Sequence, residues 1–193
     1  MINTSQKTSL LTKKVTALVF LLFLFLHTSY APWSGGSHSN SFLHQLFSLY
    51  FFITNQTLGI VHEGGHGVCY ILHCPQFITA LNGTIFQLLF PLLFAYYYAR
   101  KGQRFLALVG LFFVGFSLQY TAWYISTAHE GLHVSASKSF LGVDGYHDFN
   151  YILSSLHLLA YDALISGIVK VLATLIMIVS TFWMLIEGFA SSE

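Results

Sequence analysis

The chain has 193 residues, of which 55% are hydrophobic and 8% charged, with a mean hydropathy of +0.66. A soluble domain carries about 25% charged residues, so the composition argues against a water-soluble globular fold. Net charge is +1, from eight basic and seven acidic residues, which leaves no basic surface for nucleic acid. Two cysteines are too few to staple a secreted mini-domain. The expectation is an all-α, polytopic transmembrane helical bundle forming one integral membrane domain over residues 1–193.

A helix needs about 20 predominantly apolar residues to cross the hydrocarbon core. The first such stretch, Val15 to Tyr30, follows Lys7, Lys13 and Lys14 and runs out in Ser29-Tyr30-Ala31. That is the pattern of a signal sequence; Pro32 directly after the cut point favours an uncleaved signal anchor over residues 1–31. Residues 32–41 (PWSGGSHSNS) read as a loop. The stretch from Phe42 to Leu72 is too long for one level crossing and is expected to tilt or break near Gly59. Phe77 to Tyr98 carries Asn82-Gly83 and Pro91, whose freed backbone groups must be satisfied by neighbours. Tyr96–Tyr98, then Arg100, Lys101 and Arg104, form an aromatic belt giving way to a basic loop. A fourth helix is expected from Phe105 to Ser126. The last apolar region, Tyr151 to Phe189, has room for a half-helix and a full span from Leu164. The count is five or six membrane segments, with 42–189 as the helical core.

Orientation poses a conflict. Basic clusters at Lys13-Lys14 and at Arg100-Lys101-Arg104 should share the cytoplasmic side, yet three segments lie between them. Either segment two or three does not fully cross, as a re-entrant element would not, or the positive-inside rule does not hold for this chain.

Ionisable groups inside membrane segments are costly and point to function. His62-Glu63-Gly64-Gly65-His66 is an HExxH pattern. On a helix, positions i and i+4 share a face, so both imidazoles can reach one metal ion. Glu63, beside the first histidine, is placed to take a proton from water at that metal. Gly64 and Gly65 each cost the helix about 1 kcal/mol relative to alanine; they leave the metal face open or admit a neighbouring helix. A second match, His129-Glu130-Gly131-Leu132-His133, lies where an apolar helix gives out into a polar stretch. A substrate-facing or supporting role suits His129 and His133 better than a second metal.

A catalytic zinc takes three protein ligands, and the third is expected from Gly142–Asn150. The candidates there are His147, then Asp148, then Asp144, with Asp148 also a candidate N-cap for a helix starting at Phe149. Asn82 and Gln87 could join helices or hydrogen-bond a substrate strand. Asp162 could pair with a histidine such as His157 or with a backbone group. Cys69 and Cys74 read as packing residues, and His27, His38 and His44 as solvated groups at the interfaces.

An HExxH within a membrane segment, followed by Val143-Asp144-Gly145, resembles the site-2 proteases, the intramembrane zinc metallopeptidases. The resemblance implies that His62, His66 and a distant aspartate hold zinc, with Glu63 activating water. His147-Asp148-Phe149-Asn150 more closely resembles a group of bacterial membrane proteins that pair an HExGH helix with a histidine-aspartate-tryptophan-asparagine segment. Phe149 here replaces that tryptophan. This second likeness spans about residues 58–165 and implies a metal site more strongly than proteolysis.

The leading expectation is therefore a membrane-embedded hydrolase with one zinc ion, most simply a metallopeptidase in a bacterial cytoplasmic membrane. Its partners would be membrane lipid and a transmembrane or membrane-proximal peptide, with no nucleic acid. The alternative is a non-catalytic membrane protein that binds or transports a divalent metal ion.

Overall fold

A computed structural model describes residues 4–30, 42–134 and 145–190, and these are almost wholly helical. In chain order they form α1 (Thr4–Tyr30), α2 (Phe42–Leu72), α3 (Gln76–Arg100), α4 (Arg104–Ser126), β1 (His133–Val134), β2 (Gly145–Tyr146), α5 (Asp148–Ser155) and α6 (Asp162–Ala190). Short 3-10 turns at Ala128–Glu130 and Leu159–Tyr161 lead out of α4 and into α6. Among the described residues, four stretches are long and apolar enough to cross a membrane: Ser9–His27, Gln76–Arg100, Arg104–Glu130 and Leu159–Phe189. The outer face of α6 exposes Ile168, Val171, Leu175, Val179 and Phe182, a continuous apolar surface that water would not tolerate.

Helix α4 is the axis of the bundle. Phe112, Phe116, Tyr120 and Tyr124 on it are buried, and it packs against α1, α3 and α6. Small residues set those approaches, as expected where backbone contact replaces hydrophobic drive. A Cβ on Gly110 would lie 2.8 Å from Ala95 Cβ of α3, and one on Gly115 2.8 Å from the Ala173 carbonyl oxygen of α6. Polar side chains then join the same helices: Gln87 Nε2 donates to Ser117 Oγ (2.9 Å), Gln119 Nε2 to Thr174 Oγ1 (2.6 Å), and Ser166 Oγ to the Ala122 carbonyl (2.6 Å).

Several expectations change here. Helix α2 runs unbroken through Gly59. The half-helix expected before the last span is α5, whose eight residues are too few to cross a bilayer at 1.5 Å per residue. His27 is 1% exposed, with its ring stacked on Phe23 at 5.6 Å, so it is a packed residue and not a solvated one. His38 and the side chain of His44 lie outside the described residues.

The pairings also bear on where the two basic clusters lie. Helix α3 runs antiparallel to α2 and to α4, since His62 meets Gly83 and Gln87 meets Ser117. Helix α1 runs parallel to α4: Lys13 Nζ sits 6.0 Å from the Phe105 ring, Phe20 packs on Phe112, and Phe23 on Phe116. So α1 and α2 point the same way. Lys13 and Lys14 lie at the end of the bundle where α3 finishes and α4 begins, although three helices separate the two basic clusters in sequence.

Candidate metal centre

The α2–α3 hairpin builds the site. Its turn is short: Leu72 ends α2, His73 adopts a left-handed backbone (φ 55°), and Pro75 precedes the first residue of α3. Cys69 and Cys74 are disulfide-bonded across this turn, a pairing the sequence reading did not anticipate. The tight turn brings the last turns of α2 against the first turns of α3. At Gly65 the helices touch backbone to backbone, and a Cβ there would lie 2.5 Å from the Asn82 carbonyl oxygen. Asn82 Nδ2 donates to the Gly65 carbonyl at 2.6 Å, locking the register. Gly64, by contrast, has nothing within 4 Å of its would-be Cβ.

That register points the histidines of HEGGH at one spot. A Cβ on Gly83 would lie 2.6 Å from His62 Nε2 and 2.7 Å from His66 Nε2. The missing side chain at Gly83 is what lets both rings turn inward beside α3. His66 Nδ1 donates to the Thr79 carbonyl at 2.7 Å, which fixes the ring and directs Nε2 to the site. One ligand-type atom each from His62, Glu63 and His66 lie within 4.8 Å of one another. His62 is buried, His66 half-buried and Glu63 exposed.

The third group comes from α5. Asp148 Oδ2 lies 2.8 Å from His62 Nε2 and 3.2 Å from His66 Nε2. Two donors held by one zinc at about 2.0–2.1 Å in tetrahedral geometry stand about 3.3 Å apart. Both Asp148 separations are close to that value, as a shared small cation requires. Burial pushes the Asp148 carboxyl up, but hydrogen bonds and charge from His62 and His66 outweigh that and hold it below the ordinary carboxylate range.

His147 takes a different place. It is the N-cap of α5: Nδ1 accepts the Asn150 backbone N–H at 3.4 Å, and Nε2 lies 3.0 Å from Thr127 Oγ1. Its ring stacks on Tyr124 with centroids 4.3 Å apart, and burial drives its pKa down to about 4. The helix thus begins at Asp148 itself, one residue earlier than expected, and the cap is the histidine. Both ring nitrogens of His147 serve the fold around the site, and only Asp148 of the pair reaches the histidines of α2. The Tyr124 hydroxyl accepts the Asp148 backbone N–H at 3.2 Å, so Tyr124 anchors this end of α5 from two sides. Neither Tyr124 nor Gly83 was among the candidates; a glycine or tyrosine on an apolar helix carries no chemical signal of its own.

The remaining candidates are dispersed. Asn82 and Gln87 spend their amides on helix contacts. His129 Nδ1 donates to the buried Asp162 carboxylate at 2.6 Å, and the Asp162 carboxylate also accepts the His129 backbone N–H at 3.1 Å. His133 lies on β1 with its ring 5.3 Å from that of Tyr146. Asp144 lies outside the described residues.

No known family matches this chain, and no similar protein was found among curated sequences or solved structures. The likeness to site-2 proteases rests on the short motifs alone.

Proposed function

We propose that this chain is an integral membrane metallohydrolase, most simply a peptidase, in which His62, His66 and Asp148 hold one divalent cation. The carrying observation is the meeting of His62 Nε2, His66 Nε2 and Asp148 Oδ2 beside Gly83. Two imidazoles and a carboxylate suit zinc, with a fourth position left for reactants. When bound, zinc supplies a Lewis acid that polarises a carbonyl and acidifies water. Glu63 adjoins the donors yet is exposed, so its carboxylate can take a proton from the attacking water and return it to the leaving amine. His66 is held by the Thr79 carbonyl, and Asp148 by the capped start of α5, which keeps the donors in place between turnovers.

The four apolar helices support placement in a membrane; the bacterial cytoplasmic membrane is part of the proposal and rests on the motif resemblance alone. The substrate class is a transmembrane or membrane-proximal peptide. Glu63→Gln in the full-length protein is expected to abolish hydrolysis of such a peptide while leaving one metal ion bound. Metal bound with no hydrolysis in the wild type would instead favour a binding or transport protein. Unchanged cleavage by Glu63→Gln would refute the proposed base.

A further inference from the structure

We infer that the metal centre opens on the non-cytoplasmic, oxidising side of the membrane, so that the bond it acts on is presented from that side. The orientation rests on the membrane reading above and not on the identity of the metal; its consequence for the substrate rests also on the hydrolase reading.

Two observations that share no residue carry it. The first is charge. Lys13 and Lys14 meet the last turn of α6: Lys14 Nζ lies 5.2 Å from the Phe189 ring, and the Lys13 backbone is 3.5 Å from a would-be Cβ on Gly188. Arg100, Lys101 and Arg104 form the α3–α4 turn at the same end, where Lys13 Nζ also reaches Phe105. Five of the eight basic residues of the chain therefore gather at one end of the bundle, the end that stays in the cytoplasm. Lys170, exposed eight residues into α6 and so nearer the opposite end, is the exception among the described residues, and its long stem can carry the ammonium to that interface.

The second is sulfur. The Cys69–Cys74 disulfide closes the α2–α3 turn at the opposite end, and together these are both cysteines of the chain. Disulfides persist in oxidising compartments and are reduced in the cytosol. Either observation alone assigns the two ends, and they agree.

The site belongs to the disulfide end. His66 lies three residues before Cys69 on α2. Gly83 lies seven residues along α3 from Gln76 and seventeen from Arg100. At 1.5 Å per residue these are about 10 Å and about 26 Å. The substrate class narrows accordingly: a peptide bond close to the outer boundary, not one at mid-bilayer or at the cytoplasmic edge.

The test is labelling of single added cysteines in the full-length protein with a membrane-impermeant maleimide. Gly145→Cys and Tyr146→Cys sit on exposed β2, just before the site, and Lys101→Cys sits on the basic turn. In intact cells both β2 variants should label to the same extent as after permeabilisation, and Lys101→Cys only after permeabilisation. Labelling of Lys101→Cys in intact cells, or protection of both β2 variants there, overturns the assignment. Metal analysis of the same proteins separates the two readings: no metal with this labelling pattern sinks the hydrolase and leaves the orientation standing.

Discussion

The chain contains the five-residue pattern HExxH twice, and the two copies meet different fates. His62 to His66 lies within a continuous α-helix, so its two imidazoles share a face and converge beside Gly83. His129 to His133 begins in a 3-10 turn, passes through Gly131 at φ 123° and ends on β1. Its two rings part company, one to Asp162 and the other to Tyr146. Spacing of four brings side chains together only where the backbone rises 1.5 Å per residue. The first copy keeps that rise through both of its glycines, whereas the second begins after α4 has ended at Ser126, and Gly131 closes its 3-10 turn.

The contrast can be broken most forcefully at Asp148. Asp148→Ala is expected to lower metal affinity by more than about 100-fold, since even residues that only support ligands cost up to about that much. Equilibrium dialysis against a metal buffer would read the change; an affinity equal to that of the wild type would show that the first copy needs nothing from α5. Gly83→Ala comes next. Its methyl overlaps both imidazoles, costing about 2 kcal/mol against about 1 kcal/mol gained in helix propensity. A drop in thermal stability together with loss of metal is expected. If Gly83→Ala binds metal normally, the rings do not face α3 as described.

Asn82→Ala removes the clamp on the Gly65 carbonyl and should cost about 1 kcal/mol, read from unfolding in detergent, with metal still bound. The smallest effect belongs to the second copy. His133→Ala should change stability by less than about 0.5 kcal/mol, as for other exposed positions, and leave metal content untouched. Loss of the metal in that variant would join the two copies into one site and remove the contrast.

The helices were legible because apolar runs of 20 or more residues have few alternatives, and HEGGH was legible because its donors are chemically distinctive. The third donor was not. The sequence favours His147, then Asp148, then Asp144, by small margins, and what separates His147 from Asp148 is the start of α5. A histidine that caps the helix turns its ring toward Tyr124 and Thr127, while the next residue faces α2. N-cap preferences favour aspartate, so local reasoning placed the cap one residue late. The shared direction of α1 and α2 was equally hidden, because it depends on which helices α1 packs against and not on its own composition.

Metal content per chain, measured by elemental analysis on the purified full-length protein and three variants, tests the central claim most directly. One equivalent in the wild type and in His147→Gln, with none in His66→Ala or Asp148→Ala, is the predicted result. Metal retained by Asp148→Ala and lost from His147→Gln would contradict it.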